Sequence, residues 1–255
     1  MGLKHTLFTA GVVILLGIMG ISGYMLWDIY SHRASAQALH NNLLAYSPMQ
    51  HMAQASPAST TNHTSAPLSS PGLINAQLFV SYPSAQGWLA VPGTAVDHPF
   101  VQGADNDFYL HHDINHHRAH AGTVFMDYRN CPHFTDFNTF IYGHNMNNGS
   151  MFATLREFIA PNFFNQNTSA YIFLPHITYP VEILAFAIIA HNDPIIYRLG
   201  PTSYVERQEF LDHLANVALH HTGAQVTPHS RLVTLSTCRN DSANRRMVLV
   251  GLLPE

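Results

Sequence analysis

Hydrophobic and polar positions alternate in two different ways along this chain. From Leu7 to Trp27 (LFTAGVVILLGIMGISGYMLW) apolar residues continue without a formal charge and with no polar face. This is enough chain to cross the roughly 30 Å hydrocarbon core of a bilayer as a helix. Lys4 precedes the run and Asp28 and Arg33 follow it, a weak positive-inside bias that places the N-terminus in the cytoplasm and the bulk of the protein outside. Ala34-Ser35-Ala36 offers a rival reading as a signal-peptidase site. The apolar run is longer than the roughly 7–15 residues of a signal-peptide core, which favours an uncleaved signal anchor.

Residues 34–72 are rich in Ala, Ser, Thr, Asn, Gln and Pro, and include the segment SPASTTNHTSAPLSSP. Such a composition cannot bury enough apolar surface to order itself, so it predicts a flexible extracellular stalk. Asn62-His63-Thr64 fits a glycosylation sequon, a motif too short to carry weight.

From residue 73 to 255 the pattern becomes short β-rich runs separated by turns. Candidate strands are Trp88–Val91, Thr123–Asp127, Thr139–Tyr142, Tyr171–Leu174, Val181–Ala190, Arg231–Thr237 and Met247–Leu253. Two segments carry helical spacing: Met151 to Phe158 behind a Ser150 cap, and Tyr204 to His220. Many short strands with few helices predict a mainly β domain, a closed or nearly closed barrel with helical insertions. The chain thus divides into a cytoplasmic tip and anchor (1–33), a stalk (34–72) and a folded domain (73–255).

Composition removes several functions. The formal charge of −4 argues against a nucleic-acid partner. Lys4 is the only lysine among eleven basic residues, so there is no polybasic membrane patch. Cys131 and Cys238 are too few for a disulfide framework, and a bond between them would consume the better nucleophile candidate.

That candidate is Cys238, at the end of Thr234-Leu-Ser-Thr-Cys238. If Arg231–Thr237 and Arg246–Leu252 are neighbouring antiparallel strands, positions 238 and 246 face each other at the mouth of the hairpin. A guanidinium beside a sulfur favours thiolate, and it can later stabilise an oxyanion. An ordinary buried cysteine is the plain alternative. Against it, Ser236 and Thr234 share the alternation with Cys238, where a purely structural strand would usually carry apolar groups. His144, in Thr139-Phe-Ile-Tyr-Gly-His-Asn-Met146, lies just past an apolar strand, where a base is rigidly supported and open to solvent. Alone it would more often be a turn residue; Cys238 raises its standing.

These blocks together resemble class B sortases, the membrane-anchored cysteine transpeptidases of Gram-positive bacteria. The matching stretches are Trp88–Asp97 (WLAVPGTAVD), Val101–Leu110 (VQGADNDFYL), Ala121–Asn130 (AGTVFMDYRN), Tyr142–Phe152 (YGHNMNNGSMF), Thr234–Cys238 (TLSTC) and Arg246–Val250 (RMVLV). Any one is weak, but all six occur in family order. The resemblance implies an eight-stranded sortase-type β-barrel, preceded by an N-terminal transmembrane helix that holds it at the plasma membrane. It implies Cys238 as nucleophile, His144 as general acid or base and Arg246 as stabiliser of oxyanion or substrate, with Arg245 the competing choice. Asn106, Leu110, Tyr142, Ser236 and Tyr197 would line the groove for the sorting signal, and residues 192–230 would form the helix-bearing insertion of class B.

The implied reaction is cleavage of a surface protein's C-terminal sorting signal after Thr, through a thioacyl-enzyme, with transfer to an amine of peptidoglycan. Two alternatives remain: a pilin lysine as acceptor, or a membrane-tethered binding module that has lost catalysis. No cofactor or metal is required. Accordingly the cluster His111, His112, His116, His117 and His120, with Asp113, is read as a solvated loop rather than a zinc site. Cys131 and Ala153-Thr154 depart from the family pattern, and bear on substrate preference rather than on the catalytic trio.

Overall fold

The computed structural model describes residues 2–49, 76–198, 200, 203–239 and 242–254. They fall into two compact units, Met1–Asn42 and Leu43–Glu255. The first unit is helical: α1 spans Gly2–Leu44 and contains the expected Leu7–Trp27 segment. Among the described residues no helix is long and apolar enough to cross a membrane. The helix also continues past Ala34, where composition alone predicts the stalk to begin. Most of the rest of that stalk lies outside the described residues.

The second unit begins with buried Leu43 and Ser47 and continues from α2 (Gln77–Ser81) into a run of short strands. These are β1 (Ala85–Ala90), β2 (Asp97–Gln102), β3 (Val124–Met126), β4 (Asn138–Tyr142), β5 (Ser169–Phe173), β6 (Thr178–Ala190), β7 (Ala218–His221), β8 (Arg231–Arg239) and β9 (Ser242–Leu253). Their order in the sheet is β5-β1-β2-β3-β4-β8-β9-β6-β7, and β5 also pairs with β6. That extra ladder, Ser169↔Glu182 through Phe173↔Thr178, closes eight strands into a barrel and leaves β7 as an outer flap on β6. Closure removes the sheet edges that would otherwise have to be protected.

Strand alternation separates two apolar layers. On β8, Val233 and Leu235 point into the barrel with Leu89, Phe100, Ile141, Ile172 and Leu249. Leu232 packs outside with Phe140, Val248 and Val250. That outer layer is covered by α5 (Tyr204–Val217) through Phe210, Leu211 and Leu214. A capping box starts α5: the Ser203 side chain accepts from the Glu206 amide, and the Glu206 carboxylate accepts from the Ser203 amide. Short helices α3 (Phe108–His111) and α4 (Pro161–Gln166) and a 3₁₀ turn (Ala153–Ile159) sit in the connections.

The differences from the sequence reading have local causes. β2 was missed because Pro99 cannot donate to a ladder. The parallel pairing of β2 with β3 begins one residue later, at Phe100↔Val124, so that ladder does not call on the N–H that Pro99 lacks. The helix expected to reach His220 ends at Val217, where Ala218 turns extended and pairs with Ala187 of β6. The Ser150 cap does not form. Its hydroxyl donates to Asn148 Oδ1 at 2.7 Å, Met151 adopts a positive φ of 57°, and only a 3₁₀ turn follows.

Candidate active site

Two parallel neighbours set the site. β4 and β8 run in the same direction with Tyr142 paired to Ser236, and the Gly143 amide donates to the Ser236 carbonyl at 3.3 Å. His144 lies two residues beyond Tyr142, and Cys238 two residues beyond Ser236. Antiparallel β9 then sets Arg246 across from Cys238, with Ile189 of β6 on the far side of Arg246. Backbone positions 238 and 246 therefore pair at one end of the barrel, and position 144 follows the end of β4 at that same end. Only the backbone of Cys238 is described.

His144 is held from both sides. A Cβ on Gly143 would come within 2.8 Å of the buried Phe152 ring, so only glycine lets the chain leave β4 this close to that ring. The Phe152 amide then donates to the His144 carbonyl at 2.9 Å. The imidazole Nε2 lies 2.8 Å from the Leu110 carbonyl oxygen. A carbonyl can only accept, so Nε2 carries the proton and Nδ1 is the basic nitrogen of the neutral ring. Burial lowers the pKa of His144. The hydrogen bond to Leu110 opposes that shift, and His120 and His111 add to it.

Arg246 is partly exposed and donates to the Arg245 carbonyl at 3.3 Å. Ser236 is buried, and its hydroxyl lies 2.8 Å from the Tyr197 hydroxyl. Tyr197 packs on Phe140 with ring centroids 5.7 Å apart. Tyr142 stacks on the same Phe140 and donates its hydroxyl to Asp127 Oδ2 at 3.1 Å. Asn106 Nδ2 donates to that same oxygen at 2.8 Å. Burial, then the Asp127 carboxylate, push the Tyr142 phenol well above its ordinary pKa. The structure thus joins Tyr142, Asn106, Ser236 and Tyr197 through short contacts across the outer face, and it ties Leu110 to His144 through its main chain.

Asp127 was not singled out in the sequence. Its side chain is fully buried, and Arg129 grips it through Nε to Oδ1 and Nη2 to Oδ2, both at 2.9 Å. Burial would raise its pKa, but hydrogen bonds from Arg129 and Asn106 outweigh it and hold the carboxyl below its usual range. The available signal was a carboxylate directly after the apolar strand Val124–Met126, a place where burial without a partner is expensive.

The histidine-rich loop is tied by local contacts. His112 stacks on Phe108 at 4.1 Å, and His116 Nε2 lies within 3.0 Å of the Ser84 hydroxyl and 3.2 Å of the Tyr109 hydroxyl. Asp113 accepts from the amides of Asn115 and His117. Among the described residues no group of three or more His, Cys, Asp or Glu side chains could hold a metal ion. Cys131 is a free thiol.

A family model described as a sortase domain matches residues 89–253. The chain is 38% identical over 172 residues to sortase B of Listeria monocytogenes, covering 66% of this chain and 68% of that protein. Among solved structures, sortase B of Clostridium perfringens matches with a TM-score of 0.66 at 31% identity, over 70% of this chain and 98% of that one. Sortase B from the type II pilus of Streptococcus pneumoniae matches with a TM-score of 0.62 at 34% identity, over 71% and 98%. A closed eight-stranded barrel with these relatives is a cysteine transpeptidase. The chain belongs to the sortase family, and its relatives place it in class B.

Proposed function

We propose that this enzyme cleaves the C-terminal sorting signal of surface proteins after Thr and passes the acyl group to an amine of peptidoglycan. Cys238 is the nucleophile, His144 the acid and base, and Arg246 the group that stabilises the oxyanion. The observation that carries the reading is the pairing of backbone positions 238 and 246 on β8 and β9, with His144 two residues past the end of β4, whose last residue Tyr142 pairs with Ser236 of β8. Neutral His144 takes the Cys238 thiol proton on Nδ1. The thiolate attacks the Thr carbonyl, and the C–N bond breaks as the imidazolium returns that proton to the leaving amine. The acceptor amine then attacks the thioester, neutral His144 takes the proton that this amine loses, and the C–S bond breaks to release the thiolate. Arg246 is suited to both oxyanions because a guanidinium stays charged throughout.

Asn106, Leu110, Tyr142, Ser236 and Tyr197 form the wall that receives the signal. The likeness to a sortase named for a type II pilus favours a second acceptor, a pilin lysine. An N-terminal anchor at the plasma membrane, with the barrel outside, is supported by the uncharged Leu7–Trp27 run. Within α1, Ile14, Leu15, Leu16, Ile18 and Met19 are all about 60% exposed, so this run of apolar side chains is not buried within the protein.

The test is turnover of a panel of sorting-signal peptides with a peptidoglycan cross-bridge amine or a pilin-lysine peptide as acceptor. Cys238→Ala should abolish cleavage, and wild-type enzyme should give a thioacyl adduct detectable by mass spectrometry. Retained turnover in the variant would overturn the nucleophile assignment, and the acceptor that raises product yield decides between the two amines.

A further inference from the structure

The geometry points to Asp127 as a positioning residue for the substrate groove: its buried carboxylate fixes both Asn106 and Tyr142 in the orientation that meets the sorting signal. This rests on the reading of Asn106 and Tyr142 as groove residues.

The argument begins with the number of donors that converge on one oxygen. Asp127 Oδ2 accepts from Asn106 Nδ2 at 2.8 Å, from the Tyr142 hydroxyl at 3.1 Å and from Arg129 Nη2 at 2.9 Å. Oδ1 is filled by Arg129, through its amide at 3.0 Å and its Nε at 2.9 Å. A carboxylate buried to 0% exposure and bound on both oxygens has a single stable orientation, and the groups bound to it inherit that orientation. Asn106 is fixed at its other end as well, where Oδ1 accepts from the Tyr128 amide at 3.1 Å.

Hydrogen-bond direction then determines what the wall offers a peptide. Tyr142 spends its only hydroxyl proton on Asp127, so toward a ligand its oxygen can only accept. Asn106 has one Nδ2 proton engaged and one left to donate. A peptide unit presents one N–H and one C=O, and the pair answers both from fixed positions. The three residues come from separate places, the loop before α3, the end of β3 and the end of β4. Asn106 is also held by the Tyr128 amide and Tyr142 by its stack on Phe140, but the Asp127 carboxylate is the contact that the two share.

The variants to compare are Asp127→Asn, which keeps the shape but weakens acceptance, and the double variant Asp127→Asn/Arg129→Met. The double variant removes both members of the ion pair, so no buried charge is stranded, and it keeps the test available if the single variant does not fold. Kinetics on a sorting-signal peptide should show kcat/KM reduced about 10-fold or more, mostly through KM, as expected when oriented ground-state contacts are lost. The rate of Cys238 alkylation by iodoacetamide, a probe too small to use the groove, should stay within about 2-fold of wild type. Introducing Asp127→Asn into an Asn106→Ala/Tyr142→Phe background should change kcat/KM little, because the groups it positions are gone.

An unchanged kcat/KM in a folded Asp127 variant would overturn the positioning role. So would a full additional loss in the Asn106/Tyr142 background, or an alkylation rate that falls in parallel with peptide turnover. One readout needs no substrate: the Asn106 side-chain amide should exchange slowly with solvent in wild type and faster in the Asp127 variants, and equal exchange would also count against the proposal. If wild-type enzyme turns over no sorting peptide, it is the proposed substrate that fails, and the amide exchange still decides the geometry.

Discussion

His144 carries two pieces of information that an isolated Gly-His pair cannot carry. The Leu110 carbonyl fixes its tautomer, and burial with two neighbouring histidines moves its titration below the ordinary imidazole range of about 6.5. The lowered value has a definite sign. The unfolded chain binds the proton more readily, so this site's contribution to stability is present above the unfolded pKa and is lost as pH falls through the lower folded value. The enzyme should therefore keep a neutral His144 at pH 7. Imidazole NMR titration should place its midpoint below the ordinary imidazole value, and the acidic limb of kcat/KM should follow it; a midpoint at or above the ordinary value would contradict this. The sequence offered the catalytic candidates because Cys238 is one of only two cysteines and ends an apolar strand, and His144 and Arg246 were chosen by their place relative to it. It did not offer Asp127, because its role depends on Asn106 and Tyr142, far apart in sequence and brought together only by the fold.

At the scale of elements, α5 matters because of what it covers. The helix lies against β6 and β7, and its Phe210, Leu211 and Leu214 join Phe140, Leu232 and Val248 in the outer apolar layer, the face on which Tyr142 and Ser236 lie. Asp193 steadies the segment before the helix: its Oδ1 accepts from the amides of Ile195 and Ile196, and Oδ2 lies 2.9 Å from His213 Nε2 on α5. The same segment carries Tyr197 to its contact with Ser236. Leu214→Ala should cost about 2–5 kcal/mol by cavity formation, and should also weaken peptide binding by loosening Tyr197. Denaturation midpoints and KM, measured together, check this; a loss of stability with KM unchanged would show that α5 is only a cover. Periodicity identified α5 and seven of the strands. It failed at Pro99, where a residue poor in ladder bonds sits just before the parallel pairing begins, and at Ala218, where two periods are compatible with the residues and tertiary pairing with β6 decides.

For the whole molecule, the division after Asn42 makes the catalytic unit begin well before the first barrel strand. Leu43, Ser47 and Leu78 are all buried in that unit. Ser47 donates to both oxygens of Asp97, at 3.0 and 2.7 Å, and the Trp88 indole donates to one of the same oxygens. Tyr46 meets Tyr82 edge to face at 6.0 Å. Tyr46 and Ser47 thus join the chain just after α1 to Tyr82 and to a carboxylate at the start of β2, and composition alone, which reads residues 34–72 as stalk, has no means of revealing it. A fragment starting at Leu43 should retain full peptide turnover and should stay in solution when mixed with lipid vesicles. One starting at Tyr82 loses the serine donor and the buried Leu78, and should be less stable by roughly 3–6 kcal/mol. Ser47→Ala in the longer fragment isolates the polar share of that loss, because it leaves Leu43 and Leu78 in place. Equal denaturation midpoints for the two fragments would mean that the barrel stands without the contacts of Leu43, Ser47 and Leu78.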